Sequence, residues 1–476
     1  MKKADMRMAV KPDNPAQVAC PARADVRRPK RATLELAMLG FAVVALDAQI
    51  TNVALPAIHR GLGGGLAGLQ WIVTGYTLMF SALLLFGGSM ADRVGSKSAY
   101  RNGMVLFVVA SAACGFAPSL PFLVGARIVQ GTGAALLTPT SLSLIREAFG
   151  DSRERARAIA FWAMGGSVAA AAGPVLGGLL TQVDWRLIFF VNLPVGLAAV
   201  GLLAQAAPSP RRTARFDWTG QASAVLSLGA LTYAFIEGGS VGFGSNRIIT
   251  AFVVAAASFA VFLFGERRGQ HPMVPLALFR SRPVVITLSV AFITMAGFYG
   301  TVFLQSLYFQ QQRGYSALAT GLLFLPMTGL VALTNPLVSK IAQRFGRILP
   351  IVAGQVGMAS GLLLLALIPF HAPVLVVALV MILVGVGGAF TVPPIASLIL
   401  DTVPGQLGGT ASGVLNTFRQ MGGSLGVAVF GAVVNASSSF EHGLRISFAG
   451  TAVLVVIAAV STLALRKSAR QHSSIK

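Results

Sequence analysis

The stretch TLELAMLGFAVVALDAQITNVAL (33–55) decides the fold, and its only charged residues are Glu35 and Asp47. About 20 residues of helix cross the hydrocarbon of a bilayer. Within lipid a helix satisfies its own backbone hydrogen bonds, so a run this apolar is read as a membrane span. Thirteen further runs of the same kind follow, at 69–90, 99–118, 122–145, 158–181, 185–205, 218–236, 247–265, 283–306, 317–338, 349–369, 373–400, 411–435 and 443–465. The stretch before the first span (1–32) is polar and basic, and no cleavable signal peptide is read in it.

Composition agrees with lipid as the solvent. Of 476 residues 55% are hydrophobic and only 11% are charged, against about 25% charged in soluble domains. That is too few charges to clothe the several cores a soluble chain of this length would form. The net charge of +22 raises the possibility of nucleic acid, but the charges sit in short clusters between apolar runs. That arrangement sets membrane orientation rather than a phosphate-binding face. With the N-terminus cytoplasmic, 30 of the 37 basic residues fall in inside segments. Outside loops keep Arg60, Arg186, Arg247, Arg313 and Arg445, while Arg127 and Arg419 fall within spans. A count of thirteen spans would spoil this asymmetry. The sequence therefore predicts an all-α membrane protein with 14 transmembrane helices and both termini cytoplasmic.

Two polar, proline-bearing stretches, PSPRRTARFD (208–217) and ERRGQHPMVP (266–275), divide the spans six, two, six. The predicted organisation is a basic cytoplasmic tail (1–32), a six-helix bundle (33–205) and a linker carrying two extra helices (206–282). A second six-helix bundle (283–465) and a cytoplasmic C-terminal tail (466–476) follow. The loop after span two, ADRVGSK (91–97), shares Ala, Arg and Gly with the loop after span ten, AQRFGR (342–347). Repeated halves enclosing a midplane site are the usual architecture of secondary transporters.

Ionisable residues inside a span are costly and point to function. Here they are Glu35, Asp47, Arg127 and Arg419, with Glu237 at a span end. Asp47 lies deep in the first span, where a carboxylate can carry a proton, bind a cation, or simply bond a neighbouring helix. Glu35 stands twelve residues earlier, roughly 120° around the helix, so it reads as a solvated helix end rather than a second proton site. Arg127 cannot shed its proton and needs a buried carboxylate, carbonyls or a watery cavity; Arg419 poses the same demand. Uncharged candidates to line a pathway are Gln49, Asn52, Gln130, Gln305, Asn335 and Asn416. Gly165, Ala169, Gly173 and Gly177 repeat every fourth residue in span five. This strip without bulk serves close helix packing, or with Pro174 a hinge. The turn GGSMADRVGSKSAYR (87–101) sets Asp92 among Arg93, Lys97 and Arg101, a possible ion pair that holds one conformation shut. All five histidines (His59, His271, His371, His442, His472) fall in predicted loops or the tail, and Cys20 and Cys114 have no metal or redox spacing. No metal site and no cofactor are expected.

These motifs resemble the fourteen-helix drug:proton antiporters of the major facilitator superfamily. LDAQITNVALPAI (46–58) is similar to the first-span signature, with Asp47, Asn52 and Pro56 in place. GGSMADRVGSK (87–97) resembles the cytoplasmic loop motif and keeps Gly88, Asp92, Arg93, Gly95 and Lys97. RIVQGTGAA (127–135) is similar to the fourth-span motif through Arg127, Gln130, Gly131 and Gly133, and GPVLGG (173–178) to the core of the antiporter motif. WRLIFFVNLPVG (185–196) and RQMGGSLGVA (419–428) also resemble the group, so the likeness spans nearly all of the chain after residue 32. Met90, Ser96, Gln49 and Gln343 depart from the family pattern. The resemblance implies alternating access by two rocking bundles and exchange of outgoing substrate for incoming protons. Asp47 and Arg127 take proton-coupling or substrate-orienting roles, the Asp92 loop gates, and span five with Gly165, Gly173, Pro174, Gly177 and Gly178 packs at the bundle interface.

A nucleotide-driven pump needs G-x-x-x-x-G-K-[ST], and no Lys here follows a Gly. No catalytic constellation lies in the spans, so no enzyme is expected. The reading is a multi-pass transporter of the bacterial inner membrane, energised by the proton gradient and exporting amphipathic compounds of drug or antibiotic type, cationic or neutral, with the arginines also permitting an anion. A proton-coupled importer and a non-transporting membrane sensor remain as alternatives. Expected partners are a small-molecule substrate, protons, membrane lipids and a periplasmic adaptor, but not nucleic acid, and the expected state is a monomer.

Overall fold

A computed structural model describes residues 23–211, 217–269, 273–404 and 407–473. Cys20 with most of the predicted N-terminal tail, Arg212 and Arg215 of the linker, and His271 lie outside the described residues, as do the side chains of Asn335 and His472. Among the described residues the chain is helical, with no strand. The order is α1 (Arg23–Leu62), α2 (Leu66–Val94), α3 (Ser96–Gly115), α4 (Leu120–Ala148), α5 (Ser152–Val183), α6 (Leu187–Phe190), α7 (Asn192–Leu203), α8 (Trp218–Val241) and α9 (Asn246–Arg268). After a 3₁₀ turn (Leu276–Arg280) come α10 (Arg282–Leu307), a π turn (Tyr308–Gln312), α11 (Ala317–Phe345), α12 (Ile348–Leu367), α13 (Val374–Thr402), α14 (Gly408–Ala436) and α15 (Phe440–Ser473).

Each of the fourteen predicted runs falls on helix, and among the described residues ten helices are long and apolar enough to cross a membrane. Leu187–Leu203 and Ala317–Val331 are shorter apolar stretches. The sixth run is split at Val191 into α6 and α7, where Pro194 withholds the N–H that would reach back to Phe190. The helices overrun the predicted limits because apolarity marks hydrocarbon while caps mark helix ends. Thus α1 continues through His59 and Arg60, expected in a loop, until Gly63 and Gly64 turn the chain at φ of 71° and 91°. His442 likewise lies within α15 rather than in a loop. At the start of α5, Asp151 accepts hydrogen bonds from the backbone N–H groups of Glu154 and Arg153, both at 2.9 Å. These bonds, Glu154's foremost, hold its carboxyl below the usual Asp range.

The packing repeats. In the first half α1 lies on α5, while α2 and α3 lie on α4; in the second α10 lies on α14, while α11 and α12 lie on α13. The halves join through α5 on α11 and α2 on α14, and α8 packs beside that second seam with α9 behind it. The short sequence repeat is also a repeat of backbone: Gly95 closes α2 at φ 87° and Gly346 closes α11 at φ 83°, a conformation strained for any residue with a Cβ. Val109, Val253, Leu367 and Val460 stand on the outside at 61–66% exposure, which suits a lipid-facing surface. 

Candidate functional site

Asp47, halfway along α1, has no exposed surface, and Arg127 of α4 has 1%. Arg127 Nη1 meets Asp47 Oδ2 at 2.5 Å and also donates to Gln130 Oε1 at 2.7 Å. Gln130 Nε2 returns a bond to Asp47 Oδ1 at 2.8 Å, and Asn192 Nδ2 of α7 reaches the same oxygen at 3.0 Å. Arg127 Nε donates to the carbonyl of Ile72, and the guanidinium stacks 4.2 Å from the Tyr76 ring centre. Behind Asn192, Ser111 Oγ accepts from its amide and donates to the carbonyl of Phe189. A buried ion pair persists only when nearly every donor and acceptor is answered, and this one is answered from α1, α2, α4 and α7.

The sequence paired Asp47, Arg127 and Gln130 with the site, and the structure brings them together. It missed Asn192, whose signal was a carboxamide in an otherwise apolar run, and Ser111. Asn52 belongs elsewhere: its amide bonds the carbonyl of Ala48, and its own carbonyl accepts from Ser306 Oγ of α10 at 2.7 Å. Glu35 stands off the site, half-exposed and paired with Arg31 at 2.8 Å.

Asn52 is part of a seal. Gln310 Nε2 donates to the carbonyl of Val53 at 2.8 Å, and Gln70 Nε2 of α2 bonds the carbonyls of Val427 and Ala428 of α14. On the opposite flank a Cβ on Gly178 would lie 2.6 Å from the Ala317 carbonyl oxygen, and one on Gly321 would lie 2.2 Å from that of Pro174. A Cβ on Gly173 or Gly177 would strike α1 at Gln49 or Ile50. The span-five glycines therefore press α5 onto α1 on one side and α11 on the other, and α5 runs unbroken through Pro174. A Cβ on Gly165 would meet Met38 less closely, at 3.3 Å.

From the level of Gln49 towards the opposite ends of the helices the halves enclose a cavity of ≈ 370 Å³. Phe41, Trp162, Phe298 and Tyr299 wall it with aromatic surface, and Asn416, Arg419 and Gln420 of α14 supply polar groups. A larger crevice of ≈ 620 Å³, between α2, α8, α9 and α14, is lined almost wholly by apolar chains. The smaller one is the candidate substrate site, because convergent polar groups in an apolar cavity fix a ligand.

The turn between α2 and α3 is docked rather than loose. Lys97 Nζ donates to the carbonyl of Ala206 at 2.5 Å, and Lys97 N donates to Ser209 Oγ at 3.0 Å. Ser96, a departure from the family pattern, bonds Glu147 at 2.5 Å, and Ser209 bonds the same carboxylate. Gly88 faces open space, and Asp92 is exposed at the end of α2 beside Arg93. Glu147 and Ser209, which anchor this turn, carried no sequence signal.

A Major Facilitator Superfamily model matches residues 37–427. The chain belongs to the Major Facilitator Superfamily. It is 38% identical over 425 residues to the multidrug resistance protein Stp of Mycobacterium tuberculosis (strain CDC 1551 / Oshkosh), covering 88% of this chain and 79% of that one. It is 33% identical over 426 residues to the tetracenomycin C resistance and export protein of Streptomyces glaucescens, covering 89% and 79%. Among solved superfamily-like folds, a D-xylose-proton symporter superposes with a TM-score of 0.68 at 15% identity, over 91% of this chain and 97% of that one. The superfamily fold, many apolar helices and these relatives make this chain a multi-pass membrane transporter whose homologues are named for drug resistance and antibiotic export.

Proposed function

We propose that this protein is a proton-coupled antiporter that exports small amphipathic organic compounds across the bacterial inner membrane by alternating access, in the manner of drug and antibiotic efflux. The observation that carries the reading is the buried Asp47–Arg127 pair at 2.5 Å on the helix that also presents Gln49 to the central cavity. A proton arriving at Asp47 frees Arg127 and loosens α1 against α4. Because α1 also touches α5 and α10 at the seal, that change reaches the contact between the halves. Each proton crossing 100 mV brings about 2.3 kcal/mol to the cycle.

Under this reading the molecule spans the membrane fourteen times with both termini cytoplasmic, as two six-helix bundles (33–205 and 283–465) and an inserted pair. The seal then lies on the periplasmic side and the state is inward-open. Gly88, Asp92, Arg93, Gly95 and Lys97 form a cytoplasmic latch that engages the second bundle only when the cavity opens outward.

The test is transport in everted membrane vesicles with amphipathic dyes of both charges, comparing the wild type with Asp47→Asn. Uptake that is abolished by an uncoupler and by the substitution is the expected result. Uptake that ignores both sinks the coupling through Asp47, and proton flux accompanying uptake into right-side-out vesicles would favour an importer.

A further inference from the structure

Among the described residues, the central cavity holds one formal charge, and it is positive. Of the side chains that line it, Arg419 alone is ionised at neutral pH. Arg419 Nη1 donates to Asn416 Oδ1 at 3.1 Å, three residues back on α14, while Nε is buried and finds no acceptor. Residues 283–465 contain two acids, Asp401 and Glu441. Asp401 is paired with Arg347, and Glu441 is paired with Arg445 at 2.7 Å. Asp47, the buried acid of the first half, is held by Arg127, Gln130 and Asn192, and it is absent from the cavity wall.

A guanidinium offers five donors in a planar fork shaped for an oxyanion, and a lone cation in a low-dielectric site is costly until a counter-charge arrives. Beside it stand the amides of Asn416 and Gln420 and the phenol of Tyr299, while Phe41 and Trp162, stacked at 4.2 Å, wall the far side. One end of the cavity thus suits an acidic group and the rest suits a flat apolar body.

We propose that the substrates are amphipathic organic anions, such as aromatic or polycyclic carboxylates and phenolates, with Arg419 as their counter-ion in the cavity. This rests on the transporter reading above and narrows it: the cation that the sequence allowed for would find no acid there.

The probes are fluorescein and rhodamine 123, xanthene dyes of similar size and opposite charge, titrated by fluorescence anisotropy into purified full-length protein that is monodisperse in detergent. Fluorescein is expected to bind, and Arg419→Gln to weaken it roughly tenfold to hundredfold, as for losing a charged hydrogen bond. Arg419→Lys should recover much of that loss. Gln420→Glu, which plants a counter-ion beside the guanidinium, should weaken fluorescein similarly and guards against a glutamine variant that fails to fold. Rhodamine 123 should bind no worse to either neutralised variant. Equal fluorescein affinity in wild type and Arg419→Gln overturns the proposal, as does wild-type protein that binds rhodamine 123 and ignores fluorescein. Fluorescein held through Arg419 yet never taken up by energised vesicles leaves the anion site standing and sinks the proton-driven reading. Rhodamine 123 pumped independently of Arg419 does the reverse.

Discussion

The two halves share a packing plan but treat their buried arginine in opposite ways. Arg127 is locked by a carboxylate, a carboxamide, a carbonyl and an aromatic face, with Gln130 and Asn192 also satisfying Asp47. Arg419 has one neutral partner and an unanswered Nε. At the position of the second half's polar centre, Gln355 instead joins Thr294 and Thr391 in an uncharged cluster. The difference teaches a division of labour. A cation already neutralised by the chain can only be changed by a proton, whereas one left unneutralised waits for a ligand. Under the two proposals above, the first half responds to the gradient and the second holds cargo.

That contrast can be broken at several strengths. Arg127→Leu strands Asp47 in the core, and losing one partner of a buried pair costs about 3–5 kcal/mol. Thermal unfolding in detergent should show it as the largest loss of Tm. Pairing it with Asp47→Asn should restore part of the loss, and a wild-type Tm in the single variant would show that the pair is not what holds α1 to α4.

Next come the contacts between the halves. Gly178→Ala and Gly321→Ala place a Cβ within 2.6 Å and 2.2 Å of backbone oxygens across the α5–α11 seam, an overpacking of about 1–3 kcal/mol. Both should lower Tm, while Gly88→Ala, which meets nothing, should leave it unchanged. A neutral Gly178→Ala would mean the halves are not pressed together there.

The repeated turns offer a finer comparison. Gly95→Ala and Gly346→Ala each place a Cβ on a positive φ, a strain of about 1–3 kcal/mol. Gly95 should lose more, since its Cβ would also crowd Ser209 at 3.1 Å whereas Gly346 has open space. Equal or reversed losses of Tm would mean that Ser209 does not crowd the first turn.

The smallest effect on stability should come from Arg419→Gln. Removing a cation that nothing pairs relieves desolvation rather than stranding a partner, so Tm should hold or rise while anion binding falls. A drop in Tm comparable to that of Arg127→Leu would mean Arg419 is structural, and the contrast between the halves would collapse.

The sequence alone determined the membrane-spanning class, the runs that fold as helices and the residues worth suspecting. These follow from one-dimensional physics: lipid demands runs of apolar helix, charged residues inside such runs are rare, and glycine or proline marks close approach or a broken ladder. It also named Asp47, Arg127, Gln130 and the span-five glycines. Only the tertiary structure decided how the suspects group. Asp47 and Arg127 stand 80 residues apart in the chain and Asn192 another 65 beyond, so no spacing could reveal that the three close on one another. Nor could spacing show that Asn52 joins the seal, that Glu35 stays at the helix end, or that Glu147 and Ser209 fasten the Lys97 turn. Whether a buried arginine is paired depends on which helix faces lie against it, and that is settled by packing across the whole chain. The same packing leaves Arg127 answered and Arg419 open, a distinction two identical letters in a sequence cannot carry.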